Sequence, residues 1–105
     1  MTGFAIVSTT VAREDDAVAL ARVLVEAKLV ACVQILPATS VYRWDGEIET
    51  ATERLLLCKI AAAHFDAVAK AIAAQHTYDV PEIVMTPIAA ASYAYKAWLE
   101  SALHP

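Results

Sequence analysis

Glycine is almost absent from this 105-residue chain, which holds only Gly3 and Gly46. A phosphate-cradling P-loop and the dinucleotide fingerprint both need clustered glycines, so neither can be built here. Long uncharged apolar runs are missing too. No stretch reaches the ~18 residues that a membrane-spanning helix requires. The opening MTGFAIVSTTVARE has no basic leader, and its apolar run is too short for a signal peptide. A cytoplasmic protein with no membrane partner is expected. Cysteine is scarce, and in a reducing compartment Cys32 and Cys58 are expected as free thiols. Basic charge is in deficit: the net charge is −4, which argues against a nucleic-acid partner.

Apolar residues, by contrast, make up 59% of the chain, and the mean hydropathy is +0.50. The length suits one domain covering residues 1–105. A domain of this size hides only ~60–70% of the surface its unfolded chain exposes. Some of the apolar surplus is therefore expected to lie against another copy of the chain.

Residues 3–11, GFAIVSTTV, are β-branched and apolar and read as a buried strand. Over residues 13–28 the period changes. Ala17, Leu20, Ala21, Leu24 and Val25 form one stripe, with Asp15 and Asp16 in the first turn and Lys28 in the last. Two β-rich arms follow, about 30–44 and 47–60, joined by Asp45-Gly46, a strong two-residue hairpin signal. An arm of ~14 residues at ~3.4 Å each would reach ~45 Å, against a radius of gyration near ~13 Å for a compact domain of this length. The hairpin must protrude, or bend at Pro37 or Ser40 as a bulge. A protruding arm points again to an oligomer. A second helix is predicted over 61–76 with Phe65, Val68, Ala69 and Ile72 inward. A proline-led strand follows over 81–89, then a tail helix over 91–103 with Tyr95, Trp98 and Leu99 as its heavy side. This βαββαβ order plus a tail predicts an α+β ferredoxin-like sandwich, both helices on one face and the other face open to a partner.

Chemistry has few candidate carriers. Cys32 and Cys58 lie mid-strand, where thiols usually act as small core hydrophobes. If the hairpin pairs without interruption from its turn, Val33 faces Cys58 and Cys32 faces Lys59. The two thiols then point to opposite sheet faces, which disfavours a shared disulfide or metal. Asp15, Asp16, Glu47, Glu49 and Glu53 read as solvated charges. His64 is expected to be exposed in the first turn of its helix. His104, beside the C-terminus, is expected to be disordered. His76 continues the apolar stripe of the second helix. It suits the negative helix end as a structural residue, or faces the sheet as a ligand. An imidazole together with a thiolate would suit copper or zinc.

Together, VEAKLVACVQILPATSVYRWDGEIETATERLLLCKI and HTYDVPEIVMTPI resemble the divalent-cation tolerance protein CutA family. The segments ACVQILP, SVYRWDGEIE and YDVPEIV match its most characteristic stretches in order and separation. The STT after the first strand and the YKAWL of the tail fit as well. The resemblance implies a ferredoxin-like trimer with hairpins packed between subunits. It further implies a cytoplasmic protein of copper and divalent-ion tolerance, not an enzyme and without an organic cofactor. Its implied metal contacts are Cys32, His76 and Glu82. Thr77 stands where the family usually has proline after the histidine, which weakens pre-organisation around His76. A competing reading is a signalling trimer like the PII regulators, binding an anion or nucleotide between subunits with Arg43, Lys59 or Lys96. A third is a structural trimer whose arms recruit other proteins.

Overall fold

Alternation along GFAIVSTTV sorts the first strand's side chains onto two faces. Ala5, Val7, Thr9 and Val11 are buried, while Phe4, Ile6, Ser8 and Thr10 are half-buried on the other side. The structure, a computed structural model, describes residues 1–103. The expectation for His104 lies outside the described residues. The elements are β1 (Phe4–Val11), α1 (Glu14–Glu26), β2 (Cys32–Trp44), β3 (Glu47–Ala61), a 3-10 turn (Ala62–His64), α2 (Phe65–Gln75), β4 (Val84–Pro87) and α3 (Tyr93–Leu103). They form one sheet in the order β2-β3-β1-β4 with every neighbouring pair antiparallel. The α+β ferredoxin-like order expected from the sequence is the one observed.

The core lies between one sheet face and the first two helices. Ala5, Val7 and Val11 of β1 and Leu56, Cys58 and Ile60 of β3 cluster with Ala17, Leu20 and Leu24 of α1 and Val68 and Ile72 of α2. The α1 stripe is narrower than its pattern suggested, because Val25 is exposed. That helix also stops two residues early. Lys28 takes a left-handed φ of 59°, its amide bonding to the Val25 carbonyl and that of Leu29 to the Leu24 carbonyl. This is the closing pattern usually given to glycine. Lys28 therefore follows the last turn instead of belonging to it.

One core group is out of place. The Thr9 hydroxyl is fully buried with no hydrogen-bond partner among the described residues, and an orphaned buried hydroxyl is costly. Thr9→Val keeps the shape and removes the hydroxyl. It is expected to raise stability by about 1–2 kcal/mol, read as a higher guanidinium midpoint at unchanged slope.

The hairpin protrudes instead of bulging. Pairing runs unbroken from Cys32↔Lys59 to Trp44↔Glu47, with Pro37 and Ser40 both in register. Asp45 and Gly46 both have positive φ, 51° and 81°, as the tight turn requires. Because β1 ends at Val11↔Arg54, the pairs from Ala38↔Glu53 outward have no third strand among the described residues. The molecule is accordingly elongated, 45 × 25 × 22 Å. On the arm, Val41, Trp44 and Ile48 stay 67%, 52% and 61% exposed.

Two elements differ from expectation at the other end. β4 spans only Val84–Pro87, pairing Ser8↔Val84 through Ala5↔Pro87; Pro81 has no N–H to offer a ladder. The tail helix covers part of the face expected to be open. Ser92 caps it through its hydroxyl to the Tyr95 amide, 3.2 Å. The Lys59 ammonium sits 5.5 Å over the Tyr95 ring, and Lys59 faces away from the α1–α2 core because its neighbours Cys58 and Ile60 face into it.

Candidate functional site

A cleft of about 650 Å³ opens on the face away from α1 and α2, where the hairpin leaves the sheet. Its floor comes from Thr10 of β1, Ser40, Tyr42 and Trp44 of β2, and Glu53 of β3; its wall is Tyr78, Asp79, Val80 and Glu82. The floor residues share a face by register. On β3, Leu56, Cys58 and Ile60 look into the core, so Glu53 looks the other way.

Glu53 corrects the reading of the hairpin carboxylates as solvated charges. It is only 5% exposed. The Tyr78 hydroxyl donates a 2.7 Å hydrogen bond to its Oε2. Partial burial, that hydrogen bond and the nearby carboxylate charge push the Tyr78 phenol up to about 12. The pairing of these two residues carries no sequence signal. Alternation along EIETATER places Glu53 on a solvent-facing arm, and its cover comes from a loop 25 residues downstream.

The loop itself is pinned by His76, which follows α2 in extended conformation. The Tyr78 amide donates to His76 Nδ1 at 3.0 Å, so Nδ1 carries the lone pair. The proton must then sit on Nε2, which lies 2.8 Å from the Thr10 carbonyl and donates to it. The His76 and Tyr78 rings also meet, centroids 4.9 Å apart. Glu82 is anchored nearby, its Oε2 accepting from the Ser8 hydroxyl at 2.9 Å.

These positions decide what the expected ligands can do within one chain. His76 has both ring nitrogens engaged. Cys32 lies opposite Lys59, in the row that continues to Ile6. It is therefore four residues along and two strands across from Thr10, roughly 13 Å by 10 Å, far beyond any metal–ligand bond of about 2.0–2.6 Å. Among the described residues, no three His, Cys, Asp or Glu side chains are arranged to hold a metal ion. Cys32, His76 and Glu82 are thus not assembled into one site inside the chain, and as a single-chain set they do not fit a metal. Cys58 is a core residue on the face opposite Cys32, as the unbroken register anticipated. Burial, with the Cys32 thiol adding to it, pushes its thiol up to about 12, so it stays protonated at neutral pH.

Tyr78, Asp79 and Glu82 form a cleft wall facing Glu53. Arg43, Lys59 and Lys96 do not line the cleft. No helix among the described residues is long and apolar enough to cross a membrane.

Comparison with known proteins agrees with this architecture. Residues 5–102 match the family described as CutA1 divalent ion tolerance protein. The divalent-cation tolerance protein CutA of Thermus thermophilus is 44% identical over 95 residues, covering 90% of this chain and 92% of that protein. The chloroplastic protein CutA 1 of Oryza sativa is 37% identical over 91% of this chain, which spans only 55% of that relative. The structure of CutA from Synechococcus elongatus superposes with a TM-score of 0.94 at 38% identity, covering 99% of this chain and 93% of that one.

Proposed function

The chain belongs to the CutA1 divalent ion tolerance family, and from that premise we propose that it acts as a cytoplasmic homotrimer that binds copper or another divalent ion and catalyses no reaction. The observation that carries this reading is the sign of charge in the cleft. Glu53, Asp79 and Glu82 line it and, among the described residues, no Lys or Arg does. It therefore attracts a cation and repels the anion or nucleotide of a PII-like regulator. The apolar arm supports self-association, since Val41, Trp44 and Ile48 stay exposed on a hairpin that outruns β1. Free cysteines suit a reducing compartment.

Glu82 is the expected ligand that lines the cleft. Cys32 joins it only from a neighbouring copy, because within one chain the two lie apart. Calorimetric titration of the assembled protein with Cu²⁺ and with Zn²⁺ tests this. Glu82→Gln and Cys32→Ser are each expected to weaken binding at least tenfold, about 1.4 kcal/mol, with sedimentation still reporting a trimer. A wild-type protein that takes up neither ion, or a double variant that titrates unchanged, overturns the reading.

A further inference from the structure

His76 stands where the β4 edge of the sheet runs out of strand. On β1, the Phe4 carbonyl accepts from the Ile88 amide, just past the end of β4. Carbonyls alternate sides along a strand, so those of Phe4, Ile6, Ser8 and Thr10 all point toward the β4 edge. Pairing on that edge stops at Ser8↔Val84, which leaves the Thr10 carbonyl without a strand partner. The His76 Nε2–H takes that position at 2.8 Å. Its other nitrogen accepts from the Tyr78 amide at 3.0 Å, and Tyr78 reaches on to Glu53 at 2.7 Å.

We propose that His76 is a positioning residue and not a metal ligand: its imidazole replaces the missing rung of β4, and through Tyr78 it holds the cleft wall against the hairpin root. The same ring cannot do both. A metal bond needs an unshared nitrogen lone pair, and the one lone pair of this tautomer is already given to the Tyr78 amide. Binding a metal at Nδ1 would orphan that amide; binding at Nε2 would remove the proton that satisfies Thr10. His76→Ala should therefore open the wall instead of merely removing a donor. The chain Thr10–His76–Tyr78–Glu53 ties the end of β1, the close of α2 and the root of the hairpin to one another, so the cleft depends on a residue that does not line it.

The ring's hydrogen bonds can be read whether or not the protein binds an ion. Long-range proton–nitrogen correlation spectra of ¹⁵N-histidine protein are expected to show His76 as the Nε2–H tautomer. Its two nitrogen resonances should stay in place when Zn²⁺ is added to saturation. Alkaline spectrophotometric titration supplies the second readout, since four tyrosines are present. One should ionise near 12 in the wild type and move toward the ordinary ~10 in His76→Ala. His76→Asn, whose carbonyl can sit where Nδ1 did, is expected to restore the high value. An Nδ1–H tautomer, a Zn²⁺-induced shift of either ring nitrogen, or an unchanged tyrosine titration in a folded His76→Ala protein each overturns the proposal. If that variant does not fold, the wild-type spectra decide. A protein that binds no Zn²⁺ defeats the ion-binding reading alone, because tautomer and tyrosine readouts stand without it.

Discussion

Leu99→Ala is expected to cost about 2–5 kcal/mol, as large-to-small changes at closed core positions do. Leu99 is 0% exposed, yet it is not part of the cluster between the sheet and the first two helices. It is the one fully buried residue of α3, and it seals that helix onto the opposite face. An isolated helix of 11 residues is marginal in water. Truncating the side chain therefore removes most of what keeps α3 in place. The loss should be local at first, with α3 amides exchanging faster in hydrogen exchange while those of β1 and β3 stay protected. Trp98→Ala gives the contrast, since Trp98 is half exposed in the single chain. Equal protection of α3 in Leu99→Ala and wild type would show that Tyr95, stacked against Trp98 at 5.5 Å, and Lys59 hold the helix without it.

Tyr78→Phe removes one oxygen and is expected to destabilise the protein by about 1.5–3 kcal/mol, the usual worth of a hydrogen bond to a charged group. The ring stays, so its contact with His76 is retained. What is lost is the phenol that satisfies the Glu53 carboxylate. Nearly all of Glu53 is out of water, and a buried carboxylate left without its donor is penalised more than the bond itself was worth. Adding Glu53→Gln should recover much of the loss, because a neutral amide tolerates that position better than an unpaired charge. Denaturant midpoints at fixed protein concentration measure both, the concentration being held because association contributes to stability. Alkali should act in the same direction as the Phe substitution. The phenol's affinity for its proton is higher in the folded protein, so its contribution is intact below pH ~10 and is lost as pH rises through about 12.

The elements that could be read from sequence are those whose signals are local. Asp45-Gly46 between β-rich runs gave both the hairpin and its register, hence the opposed thiols and the Cys32↔Lys59 pairing. The spacing of Leu20, Leu24, Val68 and Ile72 gave the two core helices. The cleft was not legible, since it depends on a pairing between Glu53 and Tyr78 that no periodicity encodes. Alternation marks Glu53 as solvent-facing, and only the end of β1 at Val11 makes room for the loop that covers it. For His76 the pattern left two roles open, a structural helix end and a sheet-facing ligand, and its ring meets the sheet without being either one alone. Its partner is a backbone carbonyl, which is present at every position and carries no sequence signal. The length of β4 failed for the same reason, because whether Glu82 and Ile83 join a ladder depends on what stands opposite them.

The long hairpin also orders the cost of closing the sheet. Its two strands are joined by two residues, so each rung from the turn onward closes a loop only slightly longer than the last. The opposite edge is the reverse case. The Thr2 hydroxyl meets the Ile88 carbonyl at 2.7 Å across 86 positions of chain, and β1 reaches β4 only after everything between them is accommodated. Loop entropy makes the arm the least demanding part of the sheet to zip and the β1–β4 seam the most demanding. The histidine rung that finishes that seam belongs to the long-range half of the fold, so the cleft takes its shape only when the chain has come full circle.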